Sequence, residues 1–102
     1  MAQLIWTARA LKDLEEIGEY ISKDSIKYAR LTIQKIVETS FLIEKNLWVG
    51  RIIPEINQKD KRELITGNYR IMYQVKDGEV GYILTIHHSS RLFSNNPHLK
   101  EE

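Results

Sequence analysis

The chain has 102 residues, 42% of them hydrophobic and 28% charged, which suits one compact domain with a modest core and excludes a disordered chain. A formal net charge of +1 excludes a strong global pull toward nucleic acid, although Arg51, Arg62, Arg70 and Arg91 all fall in the second half. With no cysteine, disulfides, thiolate metal sites and a cysteine nucleophile are excluded together.

The N-terminus lacks the charged-then-apolar order of a signal peptide. No apolar run approaches the roughly 20 residues of a membrane span. A cytoplasmic protein with no membrane association is therefore expected. Ala2 to Trp6 is short and apolar and reads as a first strand, with Thr7 placed to cap a following helix. Leu11, Leu14, Ile17 and Ile21 then recur at helical spacing, opposite Arg9, Lys12, Asp13, Glu15, Glu16 and Glu19. Gly18 costs this helix about 1 kcal/mol relative to alanine, a cost that fits close approach of another backbone.

A second helix restarts at Asp24 or Ser25. Its buried stripe is Ala29, Ile33, Ile36, Ser40, Ile43 and Leu47, widened by Val37 and Leu42. So short a connection predicts an antiparallel helical hairpin. Trp48 to Gly50 ends the pattern, and Arg51 to Asp60, containing Pro54, reads as a connecting loop.

The remainder reads as a β-meander. Asp77-Gly78 is a two-residue type I′ hairpin signal. It predicts Lys76 opposite Glu79, with Val75–Val80, Tyr73–Tyr82, Ile71–Leu84 and Tyr69–Ile86 forming one apolar face. Gln74–Gly81, Met72–Ile83 and Arg70–Thr85 form the other, with Asn68 near His87. The apolar face should pack on the helices, leaving Arg70 central on an open face. A two-residue turn at Gly67-Asn68 would set Leu64 opposite Ile71 with Arg62 on that same side, and a one-residue slip would reverse both. The expected fold is α+β, in the order β-α-α-β-β-β. A helical hairpin packs on one face of a small, mainly antiparallel sheet, in a single domain spanning 1–102. Residues 92–102, interrupted by Asn95-Asn96-Pro97, read as a tail that either packs back through Phe93 or stays mobile.

Chemistry can be weighed residue by residue. His87 and His88 are neighbours on a strand and point to opposite faces, so they do not chelate one ion together, and no carboxylate stands at ligand spacing. Neither a metal nor a cofactor is expected. Ser89 and Ser90 lack any nucleophile elbow. A metal-free ribonuclease needs a base, an acid and cationic donors around a phosphate. Glu55, His88 and the arginines are of the right types. Equally, an arginine alternating with apolar residues is the ordinary outward face of a strand, and Glu55 after Pro54 an ordinary loop residue. The residues alone leave both readings open.

Four segments, in this order, resemble the RelE/ParE superfamily of toxins from type II toxin–antitoxin modules. They are WTARALKDLEEIGEYI (Trp6 to Ile21), GRIIPE (Gly50 to Glu55), RELITGNYRIMY (Arg62 to Tyr73) and ILTIHHSSR (Ile83 to Arg91). The resemblance spans nearly the whole chain. It implies the same strand, helix-hairpin and meander order, and a cognate antitoxin protein as partner. It also implies one of two targets. ParE-like members are DNA gyrase poisons that inhibit replication. RelE-like members are ribosome-dependent, metal-independent mRNA endonucleases. For the second, Glu55, Arg70 and His88 match a Glu/Arg/His catalytic set. For the first, Arg51, Arg62, Arg70, His87 and Arg91 become target contacts. Ser89 and Ser90 stand where such nuclease sites often finish in an aromatic, and Arg62-Glu63 where a lysine pair is usual. The wording of the motifs is closer to the ParE-like branch.

Overall fold

The computed structural model describes residues 2–89; Arg91 and the 92–102 tail lie outside the described residues. The elements run β1 (Gln3–Trp6), α1 (Ala8–Ser22), α2 (Ile26–Lys45), β2 (Arg51–Ile52), β3 (Lys61–Thr66), β4 (Tyr69–Lys76) and β5 (Val80–His88). They form one five-stranded sheet in the order β1-β5-β4-β3-β2. Only β1 and β5 pair in parallel, and every other neighbour is antiparallel.

Thr7 starts α1 as expected and does more. Its hydroxyl oxygen accepts the Ala10 N–H at 3.1 Å while the hydroxyl reaches the Ile83 carbonyl at 2.6 Å. The helix start is thereby tied to β5. This tie fixes the rotation of α1: Ala10 is fully buried, with Leu14 and Ile17 packed behind it. Leu11, read from the sequence as buried, is 54% exposed, because it lies about a quarter-turn off the Ala10–Leu14–Ile17 row. Ser25 caps α2 by accepting the Tyr28 N–H. Ala29, Ile36, Ser40 and Ile43 form its buried row, while Leu42 faces out. Gly18 faces Ile33, but an added Cβ would make only ordinary contact at 3.6 Å. Close helix approach therefore does not require glycine there.

The segment read as loop contributes the short edge strand β2, with Arg51 opposite Glu63 and Ile52 opposite Arg62. Gly67, at φ 57°, leads a two-residue turn that sets Leu64 opposite Ile71 and Arg62 on the same side. The β4–β5 register differs from expectation. Asp77 and Gly78 do take left-handed conformations, but Glu79 stays out of the ladder: its N–H closes the turn on Lys76 and its carbonyl accepts the Gln3 N–H. The pairs are Lys76–Val80, Val75–Gly81 and Tyr73–Ile83, then a bulge at Leu84, then Met72–Thr85, Ile71–Ile86, Arg70–His87 and Tyr69–His88.

The shift has a packing reason. A Cβ on Gly81 would lie 3.1 Å from Leu47 and 3.3 Å from Ile43, so α2 crosses β5 where the strand has no side chain. Gly81 and Ile83 thus turn inward in place of Val80 and Tyr82. At the bulge, the Asp13 carboxylate of α1 accepts the Thr85 hydroxyl and the Ile86 N–H. That holds the extra residue in place.

The main core lies between helices and sheet: Ile36 and Ile43 of α2 meet Ile71, Tyr73, Val75, Ile83 and Ile86, with Leu4 and Trp6 of β1 beside them. The other face is not open, as the sequence suggested, but covered by the β2–β3 loop. Ile53 and Ile56 of that loop pack on Met72 as a second small core.

Candidate functional site

The loop-covered face carries a row of alternating charges. Glu63 is the third residue of β3, on the same side as Met72 across the ladder and diagonal to Arg70. Its side chain is fully buried, and its two oxygens are divided between two arginines. Oε2 accepts from Arg51 Nε and Nη2 at 2.7 Å, and Oε1 accepts from Arg70 Nε at 2.7 Å. Arg70 then extends outward. Its Nη1 and Nη2 each donate to a separate oxygen of Glu55 at 2.7 Å. The order across the face is Arg51–Glu63–Arg70–Glu55, two cations interleaved with two carboxylates.

Burial is graded along the row: the Arg51 side chain is 59% exposed, Glu63 0%, Arg70 11% and Glu55 35%. The hydrogen bonds from Arg70 hold the Glu55 carboxyl down at about 2 against an ordinary 4.5, with partial burial opposing. The same pair raises Arg70 further above its already high value. A carboxylate this acidic is a poor proton acceptor at neutral pH, because base strength falls with pKa. Nε and one N–H each of Nη1 and Nη2 on Arg70 bond to carboxylates within the chain.

The structure thus brings Arg51, Arg70 and Glu55 together through Glu63. Of the histidines, His87 pairs with Arg70 in the ladder and is 1% exposed on the same face. His88 is separated from Glu55 and Arg70 by the sheet itself. It meets Tyr69 edge-on at 5.1 Å and, with Asp13, Glu16, Ile17 and Ile86, lines a groove against α1. It stands two residues beyond Ile86, on the same helix-facing side of β5. Arg62 also leaves the set: it donates to the carbonyls of Lys59, Trp48 and Gly50 and lies 5.0 Å over the Trp48 ring. Arg91 is outside the described residues. Sequence reasoning passed over Glu63, the residue that organises the row. Its signal was present in the alternation of Lys61, Glu63 and Ile65 along one strand face, combined with a register that makes Glu63 the diagonal neighbour of Arg70.

Among the described residues no helix is long and apolar enough to cross a membrane.

With this geometry in view, comparison with known proteins gives consistent matches. The family model of the ParE toxin of the type II toxin–antitoxin system parDE matches residues 4–93. Among solved structures, the chromosomal ParDE toxin–antitoxin system of P. aeruginosa is similar at TM-score 0.70 and 26% identity. That match covers 86% of this chain and 96% of that one. The fold is also shared with the toxin–antitoxin complex RelBE2 of Mycobacterium tuberculosis, at TM-score 0.60 and 21% identity over 85% of this chain and 96% of that one. No protein with a curated description matches.

Proposed function

Because the chain belongs to the ParE toxin family of type II toxin–antitoxin systems, we propose that it arrests growth by binding DNA gyrase, not by cutting messenger RNA. The observation that carries this reading is the division of the Glu/Arg/His set. Glu55 is locked to Arg70 and strongly acidic, while His88 faces the groove against α1 on the other side of the sheet. Among the described residues, Glu55 and His88 do not converge on one phosphate, as the base and acid of a metal-free cleavage must. A rigid, charge-patterned face suits a binding surface. Arg51 and Arg70 are its contact residues, with the buried His87 beside Arg70 on the neighbouring strand. The reading places the protein in the cytoplasm with its target, and a cognate antitoxin as the partner that restrains it is supported by the toxin–antitoxin complexes among its structural neighbours.

Expression without antitoxin tests the proposal. DNA breaks and loss of supercoiling activity by purified gyrase, with messages intact, are the expected outcome. Arg70→Ala should weaken gyrase inhibition roughly tenfold, the effect of losing one central interface arginine. Rapid loss of translation with mapped mRNA cuts would overturn the reading in favour of the endonuclease.

A further inference from the structure

The outer edge of Arg70 is occupied by the chain's own Glu55 in the manner of a bound ligand. Both Glu55 oxygens accept from separate nitrogens at 2.7 Å. This is the two-pronged geometry by which a guanidinium recognises a carboxylate. The inner edge of Arg70 is not exchangeable, since Nε is held by the buried Glu63, whose other oxygen holds Arg51. Glu55 differs from Glu63 in both respects: it comes from a loop and it is partly exposed. The loop itself need not move to release it. Ile53 and Ile56 pin the loop to Met72, while Pro54 and Glu55 stay on the surface. Rotation of the Glu55 side chain alone exposes two parallel donors on a guanidinium already fixed from behind.

Resting on the reading of Arg70 as a contact residue, we infer that its outer edge is a carboxylate subsite for an acidic side chain of a protein partner, with Glu55 as a built-in competitor. A carboxylate is favoured over a phosphodiester because the present occupant is a carboxylate. The row's two arginines are also balanced by two glutamates, in a chain of net charge +1, which leaves little excess charge to attract a polyanion. Exchange of one carboxylate for another keeps that balance. An internal competitor lowers apparent affinity in proportion to the fraction of time it fills the site. Only a ligand matching the fork replaces it at low cost.

The test titrates the full chain and its Glu55→Gln variant with N-acetylglutamic acid N-methylamide and with inorganic phosphate, following the backbone amide resonances of β4. The variant should bind the glutamate probe roughly fivefold more tightly than the native chain. Adding Arg70→Lys should abolish that gain, and phosphate should gain less. Equal affinity of native chain and variant for the glutamate probe overturns the inference, and a larger gain for phosphate overturns the carboxylate assignment. If Glu55→Gln loses its cooperative melt, Glu55→Asp, one methylene too short to reach the Arg70 fork, is judged by the same criteria. Gyrase inhibition is scored separately: a native chain that leaves gyrase active sinks the proposed function without touching the subsite.

Discussion

The two faces of the sheet are closed by different physics. Toward the helices, Ile36, Ile43, Ile71, Tyr73, Val75, Ile83 and Ile86 exclude water by apolar burial. Toward the β2–β3 loop, among the described residues, Ile53, Ile56 and Met72 form a small apolar cluster beside the Arg51–Glu63–Arg70–Glu55 row. Apolar packing is tolerant of pairing but demanding of volume. An ion-pair row is the reverse: each member fixes its neighbour's direction, while its net contribution to stability is small. The helix face therefore acts as the scaffold, and the loop face as a surface whose charged groups are held in set directions.

The largest expected effect lies on the scaffold side. Ile43→Ala, at a fully buried position against Gly81, should cost about 3–4 kcal/mol in chemical denaturation, by lost burial plus the cavity left. A cost under about 1 kcal/mol would mean the helix face is less tightly packed than it looks.

Glu63→Ala is the corresponding break on the other side. It takes the carboxylate from Arg51 and from the inner edge of Arg70, the second only 11% exposed and left with Glu55 alone, and should cost about 3 kcal/mol. The comparison sharpens with Arg51→Met, Glu63→Leu and Arg70→Met combined. Replacing these three buried or paired members of the row by apolar groups, and leaving the partly exposed Glu55, should recover most of that loss while removing target binding. Stability and binding would then separate on this face, whereas Ile43→Ala moves both through folding alone.

How much of this was readable beforehand follows the same division. Local rules found Thr7 as a cap, a helix restart at Asp24 or Ser25, the helical hairpin and a turn at Gly67-Asn68 with its register left between two choices, since each depends on residues within a few positions. The β4–β5 ladder failed because its register was settled from afar. Leu47 and Ile43, some 35 residues upstream of Gly81, need a bare backbone to cross, and the Asp13 carboxylate stabilises a bulge 72 positions away in sequence from Thr85. That one shift moved Tyr82 out of the core, and the bulge at Leu84 then returned Ile86 and His88 to the helix side. Arg70 and Glu55 were singled out from sequence, but as parts of an open face. Their closure depends on Ile53 and Ile56 folding the loop over Met72, which no short-range pattern in GRIIPE reveals.

Tyr73 joins the two regions and gives the next smaller effect. Its hydroxyl donates to the Leu47 carbonyl at 2.7 Å and accepts the Gly50 N–H at 2.9 Å, so the connection between α2 and β2 is tied to β4. Tyr73→Phe leaves both backbone groups buried without that partner and should cost about 1–2 kcal/mol. Hydrogen exchange should show the loss as weakened protection at Gly50 and Arg51 first. Uniform loss across the sheet would mean the hydroxyl supports the whole core, not the junction.

The smallest effect is also the most specific to the charged face. Glu55 ionises in the folded protein at about 2, against an ordinary 4.5, chiefly through its bonds to Arg70. A depressed carboxylate stabilises the fold above its unfolded value and loses that contribution as pH falls through the folded one. The Glu55 share is thus complete above about pH 4.5 and fades toward about pH 2. With the side chain 35% exposed, solvent screening limits the share to under about 1 kcal/mol. Subtracting the denaturation curves of Glu55→Gln from those of the native chain isolates it from the other carboxylates. The difference should be flat from neutral pH down to about 4.5 and shrink below that, and 1 M salt should reduce it throughout. A difference that grows on acidification would mean that Glu55 is held by something other than Arg70.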